Sequence, residues 1–419
     1  MDLKGKLGTL TRPLGLAPSP EGPRPEVLDA LRVRMQRILR QSPAPAPPAR
    51  APLPSADTSD LPFAVEPANQ GVLWRRQQIL KPSTHVGRMP LEAARDACPK
   101  MLGLLSLEPK LGECDLRRAL FLDTETTGLG GSGSVAFLIG LAWFNAEGKL
   151  VLEQLLLRSP EDEPAMLRHL ALRLARSSLL VTYNGKAFDI PLLMGRFVMN
   201  RLAEPPDLPH LDLLHVARRL HKARLGQCRL VSLESGVLGF ERGDDIGGSE
   251  IPPLYAHYLR TGQAGVLGPI VEHNAWDVMS MAALMGLYGE PLGALHVDDL
   301  VGLARTLKRA GALEEAVRVA DRAVRSGAGP GALLLRGQLA KARGDKNRAL
   351  ADFEALSDAV DDAGVRLELA KLYEHHVKAP LKALGMVERG TGERPELIKK
   401  RRERLLRKHQ KHMRKSIVI

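Results

Sequence analysis

The sequence predicts an α/β domain with a mixed sheet flanked by helices, followed by an all-α region of helical repeats. Two observations predict this architecture. Between residues 118 and 202, short apolar runs alternate with helical patterns in the order βββαβα. From about residue 296 to 390 the strand patterns stop, and small residues recur at an interval near 34. The 419 residues leave room for two or three domains.

The predicted elements of the first domain follow in chain order. We expect strands at 118–124, 135–144, 150–157 and 179–183, and helices at 163–176 and 189–202. The first three strands are close enough in sequence to form an antiparallel meander. The run at 135–144 is too short to cross a bilayer, which takes about 20 residues, and is therefore predicted to be a buried strand beside the first.

Composition divides the chain into five segments. These are a proline-rich, mostly disordered segment (1–61), a lead-in (62–118), the α/β domain (119–292), the helical repeats (296–390) and a basic tail (391–419). Within the first segment, Pro-Ala-Pro-Ala-Pro-Pro at 43–48 predicts an extended spacer. Residues 26–40 have the apolar spacing of one amphipathic helix.

The cysteines and the amino terminus bear on the compartment. Cys98, Cys114 and Cys228 are widely spaced and odd in number, which fits neither a disulfide framework nor a zinc site. Residues 1–6 have no apolar core of signal-peptide length. We therefore expect a cytoplasmic protein without a membrane anchor.

An acidic pair ends the first predicted strand of the domain. The apolar run before it leads into Asp123-Thr124-Glu125-Thr126-Thr127-Gly128. Because side chains alternate along a strand, Asp123 and Glu125 point to the same face. Two adjacent carboxylates repel each other unless a cation lies between them. The pair therefore predicts half of a divalent-metal site, the alternative being an acidic strand end that faces solvent.

Two downstream segments can complete such a site. In the segment 183–189, Tyr-Asn-Gly-Lys-Ala-Phe-Asp, a strand enters a turn and Asp189 lies where a helix begins. Further on, His273 and Asp277 are four residues apart in a helical pattern and share one helix face. Asp189 as a simple helix cap and His273 as a packing residue are the structural alternatives.

The order D-x-E, N-x-x-x-F-D, H-x-x-x-D resembles the DEDD group of 3′–5′ exonucleases, which have the RNase H-like fold. Within that group the chain most resembles the YprB-type ribonuclease H-like family, over roughly residues 65–290. The resemblance implies that Asp123, Glu125, Asp189 and Asp277 bind metal and that His273 is the general base. The βββαβα order suits the same fold.

Phosphodiester hydrolysis explains why these residue types occur together. Two divalent cations, Mg²⁺ or Mn²⁺, can activate water and stabilise charge on the attacking and leaving oxygens, and carboxylates are their preferred ligands. A neutral imidazole can take the proton of the water near neutral pH. His273 lies four residues before Asp277, which is the spacing of the tyrosine branch of the group, although H-N-x-x-D is usual for YprB-like proteins.

Several further residues are predicted around the site. Substrate contacts are assigned to Thr124, Thr126, Asn184, Lys186 and Asn274. Asn184 has the alternative role of holding its own turn. Asp212 is either near the site or the cap of the helix that follows it, and we favour the cap. Tyr183 and Phe188 are more often core residues than base-stacking ones. The acidic loop residues Glu241, Asp244, Asp245 and Glu250 predict a solvated loop.

Charge is concentrated in the tail. Between residues 394 and 419, eleven Lys and Arg stand against two Glu, a net +9 of the total of +12. Such a tail attracts polyphosphate with little sequence preference. Nucleic acid is the favoured partner; a solvated helical extension and an anionic membrane surface are the alternatives.

The repeat region resembles tetratricopeptide repeats. Gly311 and Ala316 recur as Gly344 and Ala349, and Ala383 follows 34 residues later. Two to three such helix pairs would stack into a solenoid with a concave surface. The region is therefore either a module that binds a protein partner or a helical buttress of the catalytic domain.

Together these features predict a metal-dependent nuclease, specifically a 3′–5′ exonuclease on single-stranded DNA or RNA. An endonuclease of the same fold, a nucleic-acid binder without turnover and a scaffold that acts through its repeats are the alternatives. The intact set of four carboxylates argues against the binder, and the short repeat array argues against the scaffold.

Overall fold

The computed structural model describes residue 61 and residues 63–128 and 133–416. Residues 1–60, with the amphipathic helix predicted at 26–40, lie outside this part of the chain. In the described part, none of the helices combines the length and the apolar character needed to cross a bilayer.

A seven-stranded mixed sheet forms the centre of the protein. The described residues form nine strands, of which seven belong to this sheet. They are β1 (Ala64–Pro67), β2 (Val72–Ile79), β3 (His85–Val86), β4 (Met89–Pro90), β5 (Ala119–Thr126), β6 (Ala136–Phe144), β7 (Leu150–Leu156), β8 (Leu179–Thr182) and β9 (His210–Asp212). The order in the sheet is β1-β2-β7-β6-β5-β8-β9, while β3 and β4 form a separate ribbon. β5, β8 and β9 are parallel, and the other neighbours in the sheet are antiparallel.

The predicted meander is confirmed, and the lead-in extends it. β5, β6 and β7 pair in antiparallel order. β2 then pairs along the free edge of β7, from Trp74 opposite Leu156 to Ile79 opposite Val151. The sequence predicts the lead-in as a segment separate from the α/β domain. In the structure, strands of both segments belong to one sheet.

Thirteen helices of eight residues or more occur in the described ranges. They are α1 (Pro99–Ser106), α2 (Glu163–Ala175), α3 (Asp189–Met199), α4 (Leu213–Leu225), α5 (Ile251–Thr261), α6 (Gly268–Gly289), α7 (Asp299–Arg309), α8 (Leu313–Arg325), α9 (Pro330–Ala342), α10 (Lys346–Ala359), α11 (Ala363–Leu372), α12 (Pro380–Glu388) and α13 (Pro395–Ser416). The predicted helices at 163–176 and 189–202 correspond to α2 and α3.

The two faces of the sheet bury separate cores. Alternate residues of β5 divide between them, so that Phe121 packs with α1, α4 and α6, and Leu120 packs with α2 and α3. The alternation continues to the end of the strand. Asp123 and Glu125 therefore lie on the face that α6 covers, where the apolar core ends.

The helical region contains three helix pairs, α7–α8, α9–α10 and α11–α12. Equivalent turns contain a residue with positive φ, namely Gly311 (83°), Gly344 (84°) and Lys378 (58°). The alanines that recur in the sequence, Ala316, Ala349 and Ala383, are fully buried between helices. The small side chains thus allow the close helix packing that the interval near 34 predicts.

The first of these helices packs on the α/β domain. A Cβ on Gly302 of α7 would lie 2.7 Å from the carbonyl oxygens of Arg219 and Leu220 in α4. Arg224 of α4 also donates to buried Asp299 of α7, with the closest N–O distance 2.7 Å. The helical region is therefore fixed to the domain that contains the acidic residues.

Candidate active site

Asp123 is held by an amide from the opposite layer. In the sheet it lies opposite Gly140 of β6, and α6 passes above both. Asn274 Nδ2 donates to Asp123 Oδ2 over 2.9 Å. A Cβ on Gly140 would lie 2.3 Å from Asn274 Oδ1, so the glycine provides the space in which the amide lies.

The orientation of Asn274 is fixed from its other end. Gln154 Nε2 donates to Asn274 Oδ1 over 3.0 Å and to the Val271 carbonyl over 2.7 Å. Both amide side chains are fully buried. The substrate contact predicted for Asn274 therefore needs correction, because its amide faces Asp123 and Gln154 and does not reach the surface. Its contacts position a carboxylate.

Asp189 approaches from the amino terminus of α3. It is the first residue of the helix, and Phe188 occupies the N-cap position before it. The Thr124 hydroxyl, on the strand between Asp123 and Glu125, donates to Asp189 Oδ1. The Thr126 hydroxyl donates to the Gly128 carbonyl over 2.7 Å. Both threonines thus hold site geometry through contacts within the protein.

Asp212 organises the turn that delivers Asp189. Its carboxylate caps α4 through the Leu214 amide and also accepts from the backbone amides of Asn184 (2.8 Å) and Lys186 (3.1 Å). Asn184 has a φ of 66°, a left-handed conformation that Asn tolerates. The capping role predicted for Asp212 is present, together with a second role in holding the turn.

The remaining side chains of this turn face in different directions. Lys186 pairs with Glu108 in the lead-in. The Tyr183 hydroxyl donates to the Cys228 carbonyl over 2.6 Å, in agreement with a packing role. Phe188, which we expected to be a core residue, is 57% exposed beside Asp189. That expectation was wrong because the turn directs the ring outward.

His273 and Asp277 extend from one face of α6 toward β5. Oxygen or nitrogen atoms of Glu125, His273 and Asp277 all lie within 4.8 Å of one another. His273 Nε2 is 3.7 Å from Asp277 Oδ2, and Nδ1 is 2.7 Å from Asp245 Oδ1. Two contacts to Nδ1 compete, because Asp245 can only accept and Arg242 Nη1, 3.3 Å away, can only donate. We assign the proton of a neutral ring to Nδ1 on the shorter contact, which leaves Nε2 as an acceptor.

The sequence analysis missed Arg242. Its guanidinium, only 3% exposed, donates to Asp277 Oδ1 and to both oxygens of buried Glu234, and lies 3.1 Å from Asp245 Oδ2. The exposure of Glu241, Asp244, Asp245 and Glu250 agrees with the predicted solvated loop, and Asp245 in addition contacts Arg242 and His273. The signal in the sequence was a single arginine within an acidic loop.

The carboxylates are poorly neutralised. Burial raises the pKa of Asp123 well above its usual value, and the nearby charges of Asp277, Glu125 and Asp189 raise it further. Burial likewise raises the pKa of Glu125 to about 7, against the lowering effect of His273. The pKa of Asp189 is also raised by burial, despite its hydrogen bond from Thr124. An added cation would relieve this repulsion.

The donor set fits hard divalent cations. It offers carboxylate oxygens from three separate parts of the chain and one imidazole nitrogen, and carboxylates are the ligands that Mg²⁺ and Mn²⁺ prefer. Arg242 occupies one oxygen of Asp277, and the other lies 3.7 Å from His273 Nε2. Glu125 and Asp277 lie close together and the charge of Asp189 acts on both Asp123 and Glu125, so the residues present can hold such ions.

A hollow adjoins the acidic cluster. It has a volume of about 430 Å³ and is lined by the 240–245 loop together with Pro269, Glu272 and Trp276. Phe240 and Trp276 contact each other with ring centroids 4.7 Å apart. The site is therefore flanked by an aromatic wall on one side and by exposed Phe188 on another.

Comparisons with known proteins agree with this geometry. The RNase_H superfamily model matches residues 120–288. The uncharacterized protein YprB of Bacillus subtilis (strain 168) is 32% identical over 298 residues, covering 68% of this chain and 72% of that protein.

Among solved structures, a family B DNA polymerase from the archaeon Pyrobaculum calidifontis is 14% identical, with 46% of this chain and 29% of the polymerase covered. Its TM-score of 0.32 is too low to carry an argument. The residues that match the superfamily model include all four carboxylates and His273. The match to YprB extends over most of both chains. The chain belongs to the RNase H superfamily and, within it, to the YprB-type family.

Proposed function

We propose that the chain is a metal-dependent 3′–5′ exonuclease that acts on single-stranded DNA or RNA. The observation that carries the proposal is the close group of Glu125, His273 and Asp277, together with the repulsion that Asp123 experiences from Asp277, Glu125 and Asp189. Membership of the RNase H superfamily supports nuclease chemistry. The exonuclease polarity and the single-stranded substrate rest on the resemblance of the three motifs.

The residues have distinct roles in this proposal. Asp123, Glu125, Asp189 and Asp277 hold two divalent cations, Mg²⁺ or Mn²⁺. When bound, these ions supply an activated water and stabilise the charge of the attacking and leaving oxygens. His273 accepts a proton at Nε2, because Asp245 accepts the hydrogen bond from Nδ1. Asn274 and Arg242 position the carboxylates of Asp123 and Asp277.

The aromatic surroundings favour a strand with unstacked bases. Phe188 is exposed directly before Asp189, and Phe240 and Trp276 line the adjoining hollow. Stacking on such rings contributes about 1–3 kcal/mol per base and tolerates any base. Asn184 and Lys186 remain candidates for phosphate contacts; for Lys186 this requires release from Glu108.

The test uses 5′-labelled oligonucleotides incubated with and without Mg²⁺ or Mn²⁺. We expect a ladder that shortens from the 3′ end, no cleavage in EDTA and protection of strands with a blocked 3′ end. His273→Gln should slow cleavage roughly a hundredfold or more. His257→Gln, in the neighbouring helix α5 where His257 pairs with Gln263, is the matched control and should cut at the parent rate.

Other outcomes select the alternatives. Internal cuts that ignore a blocked 3′ end would indicate an endonuclease. Binding without any cleavage in either metal would indicate a nucleic-acid binder and would overturn the proposal.

The described chain contains three free cysteines, which supports our assignment to a reducing, cytoplasmic compartment.

For the helical region we propose tetratricopeptide-like pairs that buttress the α/β domain. The close approach of Gly302 to the backbone of α4 and the Arg224–Asp299 contact support the buttress. A protein partner on the concave surface is the second candidate for this region. A pull-down with the intact chain, repeated with Gln338→Ala at an exposed position of α9, would distinguish a specific partner from background.

A further inference from the structure

The basic tail forms a helix, α13, that is docked on the repeats. Glu374, which is 4% exposed, accepts from Arg404 Nε (2.7 Å) and Lys408 Nζ (2.8 Å). Arg401 pairs with Glu393 over 2.7 Å. Leu405, between these cations, is buried against the α10–α12 core. One face of the helix is therefore fixed to the protein by charge and by packing.

The docking contacts are stable near neutral pH. Burial alone raises the pKa of Glu374, but hydrogen bonds from Arg404 and Lys408 lower it to about 2. The Glu374 carboxylate is therefore ionised near neutral pH. The cations on this face are already neutralised and are not available to another polyanion.

A second face of α13, roughly 90° around the helix from the docked face, presents a different set of cations. Lys400, Arg407 and Lys411 are exposed and have no ion pair with any residue in the described part of the chain. They follow one another at i, i+7 and i+11, which places them within about 40° on the helix surface. The three residues span roughly 16 Å along the axis. We call them the outer stripe.

The surroundings of the outer stripe identify the chemistry of its partner. Glu396 and Glu403, the only acidic residues of α13, each lie four residues before a residue of the outer stripe, and with exposed Lys399 counted this side of the helix keeps a net positive charge. No aromatic residue lies on this helix. A span of about 16 Å corresponds to roughly five phosphates of one nucleic-acid strand at 3.4 Å each. Such a surface fits repeated phosphates and offers no base-specific contact.

An anionic membrane fits less well. A helix that lies in a membrane interface buries a continuous apolar face. In α13 the apolar residues Ile398 and Leu405 pack against the repeats. Of the exposed apolar residues, Leu406 and Met413 lie on the other side of the helix, and Leu397 stands alone beside the outer stripe, so no continuous apolar face accompanies it.

We propose that the outer stripe, Lys400, Arg407 and Lys411, is a sequence-independent contact for the phosphodiester backbone of a nucleic acid. The choice of partner rests on the proposed function, whereas the contact itself needs neither metal nor cleavage. Fixed on the repeats, the stripe holds a strand at a defined distance from the acidic cluster.

The test measures binding of the full chain to a fluorescent 30-nucleotide strand by anisotropy, in EDTA and at 50–200 mM salt. For single strands the logarithm of the binding constant falls with a slope of about −0.7 per neutralised phosphate. Replacing all three residues of the outer stripe with Gln should therefore flatten the slope by about 2. At 50 mM salt we expect at least tenfold weaker binding.

A matched triple variant separates position from net charge. Arg322→Gln, Arg325→Gln and Lys346→Gln remove the same charge from exposed residues of the repeats that have no ion pair in the described chain. This control should keep the parent slope. An unchanged slope in the stripe variant, or an equal loss in the control, would overturn the proposal.

Two further measurements distinguish failure of the proposed phosphate contact from failure of the proposed nuclease function. Stripe-dependent binding to phosphatidylserine vesicles with unchanged binding to the strand would replace nucleic acid by a membrane and overturn the proposal. Cleavage of a five-nucleotide substrate by the parent chain tests the proposed function separately. If the strand binds through the stripe but nothing is cut, the proposed function fails while this contact stands.

Discussion

Two buried acids on opposite faces of one sheet show contrasting environments. Glu153 of β7 is fully buried and contacts three cationic groups, at 2.9 Å from His169, 2.9 Å from Arg173 and 3.3 Å from Arg75. Burial alone raises the pKa of Glu153, but these partners lower it below its usual value.

Asp123 of β5 lies two strands away from Glu153 of β7, with β6 between them. Its one side-chain donor within the described residues is the neutral amide of Asn274. The charged groups around it are other carboxylates, and its pKa is raised. The chain thus surrounds its structural acid with cationic partners, whereas among the four acids of the candidate site only Asp277 pairs with an arginine of the described chain, Arg242. A site built in this way can accommodate a cation from solution.

The largest expected effect comes from removing one acid of the cluster. Asp123→Asn should reduce cleavage roughly a thousandfold, because metal-borne stabilisation of the transition state contributes several kcal/mol. The fold should survive, since the substitution removes an uncompensated buried charge. Asp207→Asn, in an exposed loop, is the control. Cleavage by folded Asp123→Asn at the parent rate would refute the assignment.

The equivalent change at the neutralised acid should act on stability. Glu153→Gln leaves its cations without a partner, and we expect the free energy of unfolding in EDTA to fall by about 3 kcal/mol. Urea denaturation of both variants measures the contrast. If Asp123→Asn destabilises the metal-free protein as much as Glu153→Gln, then the two environments do not differ as described.

The free energy of unfolding of the metal-free protein should fall both as pH rises above about 4.5 and as pH falls below it. Without metal, Glu125 has its pKa raised to about 7, so its contribution is present at low pH and is lost as pH rises from about 4.5 to 7. Glu374 has its pKa lowered to about 2, and its contribution is lost as pH falls below about 4.5. Thermal melting across pH 3–8 should show both slopes.

Added Mg²⁺ should flatten the slope between about pH 4.5 and 7. Glu125→Gln should reduce it without removing it, because the raised pKa values of Asp123 and Asp189 act with the same sign. An undiminished slope in metal-free Glu125→Gln would show that Glu125 does not contribute to it.

The smallest expected effect concerns the support of Asp123. Gly140→Ala places a Cβ against Asn274 and should displace the amide from Asp123. We expect a 10–100-fold loss of metal affinity or activity, as for other groups that orient a ligand. Gly195→Ala in α3, where a Cβ meets no atom within 4 Å, is the control. Calorimetric titration with Mn²⁺ measures both, and equal affinities would show that Asn274 does not support the site.

The sequence predicts the strands of the domain and the acids at their ends because both depend on local patterns. Alternation along β5 places Asp123 and Glu125 on one face, and helical spacing joins His273 to Asp277. The interval near 34 likewise predicts buried alanines in the repeats, such as Ala349. Each of these patterns can be recognised from the spacing of residues along the chain.

Features that depend on distant contacts were missed. Arg242 reaches Asp277 across 35 residues, and no periodic pattern distinguishes it from a surface arginine. The role of Asn274 depends on Gly140 in another strand, and the exposure of Phe188 depends on how Asp212 holds its turn. The addition of β2 to the edge of β7 is also a pairing that local spacing does not specify.

The most direct test of the central claim is a crystal structure of the full chain soaked in Mn²⁺ with a bound nucleotide. Anomalous scattering locates the manganese independently of any assumption about its ligands. We predict two peaks among the carboxylate oxygens of Asp123, Glu125, Asp189 and Asp277, about 3.5–4 Å apart. A saturated crystal with no peak there, and with those carboxylates still bound only to protein groups, would contradict the account.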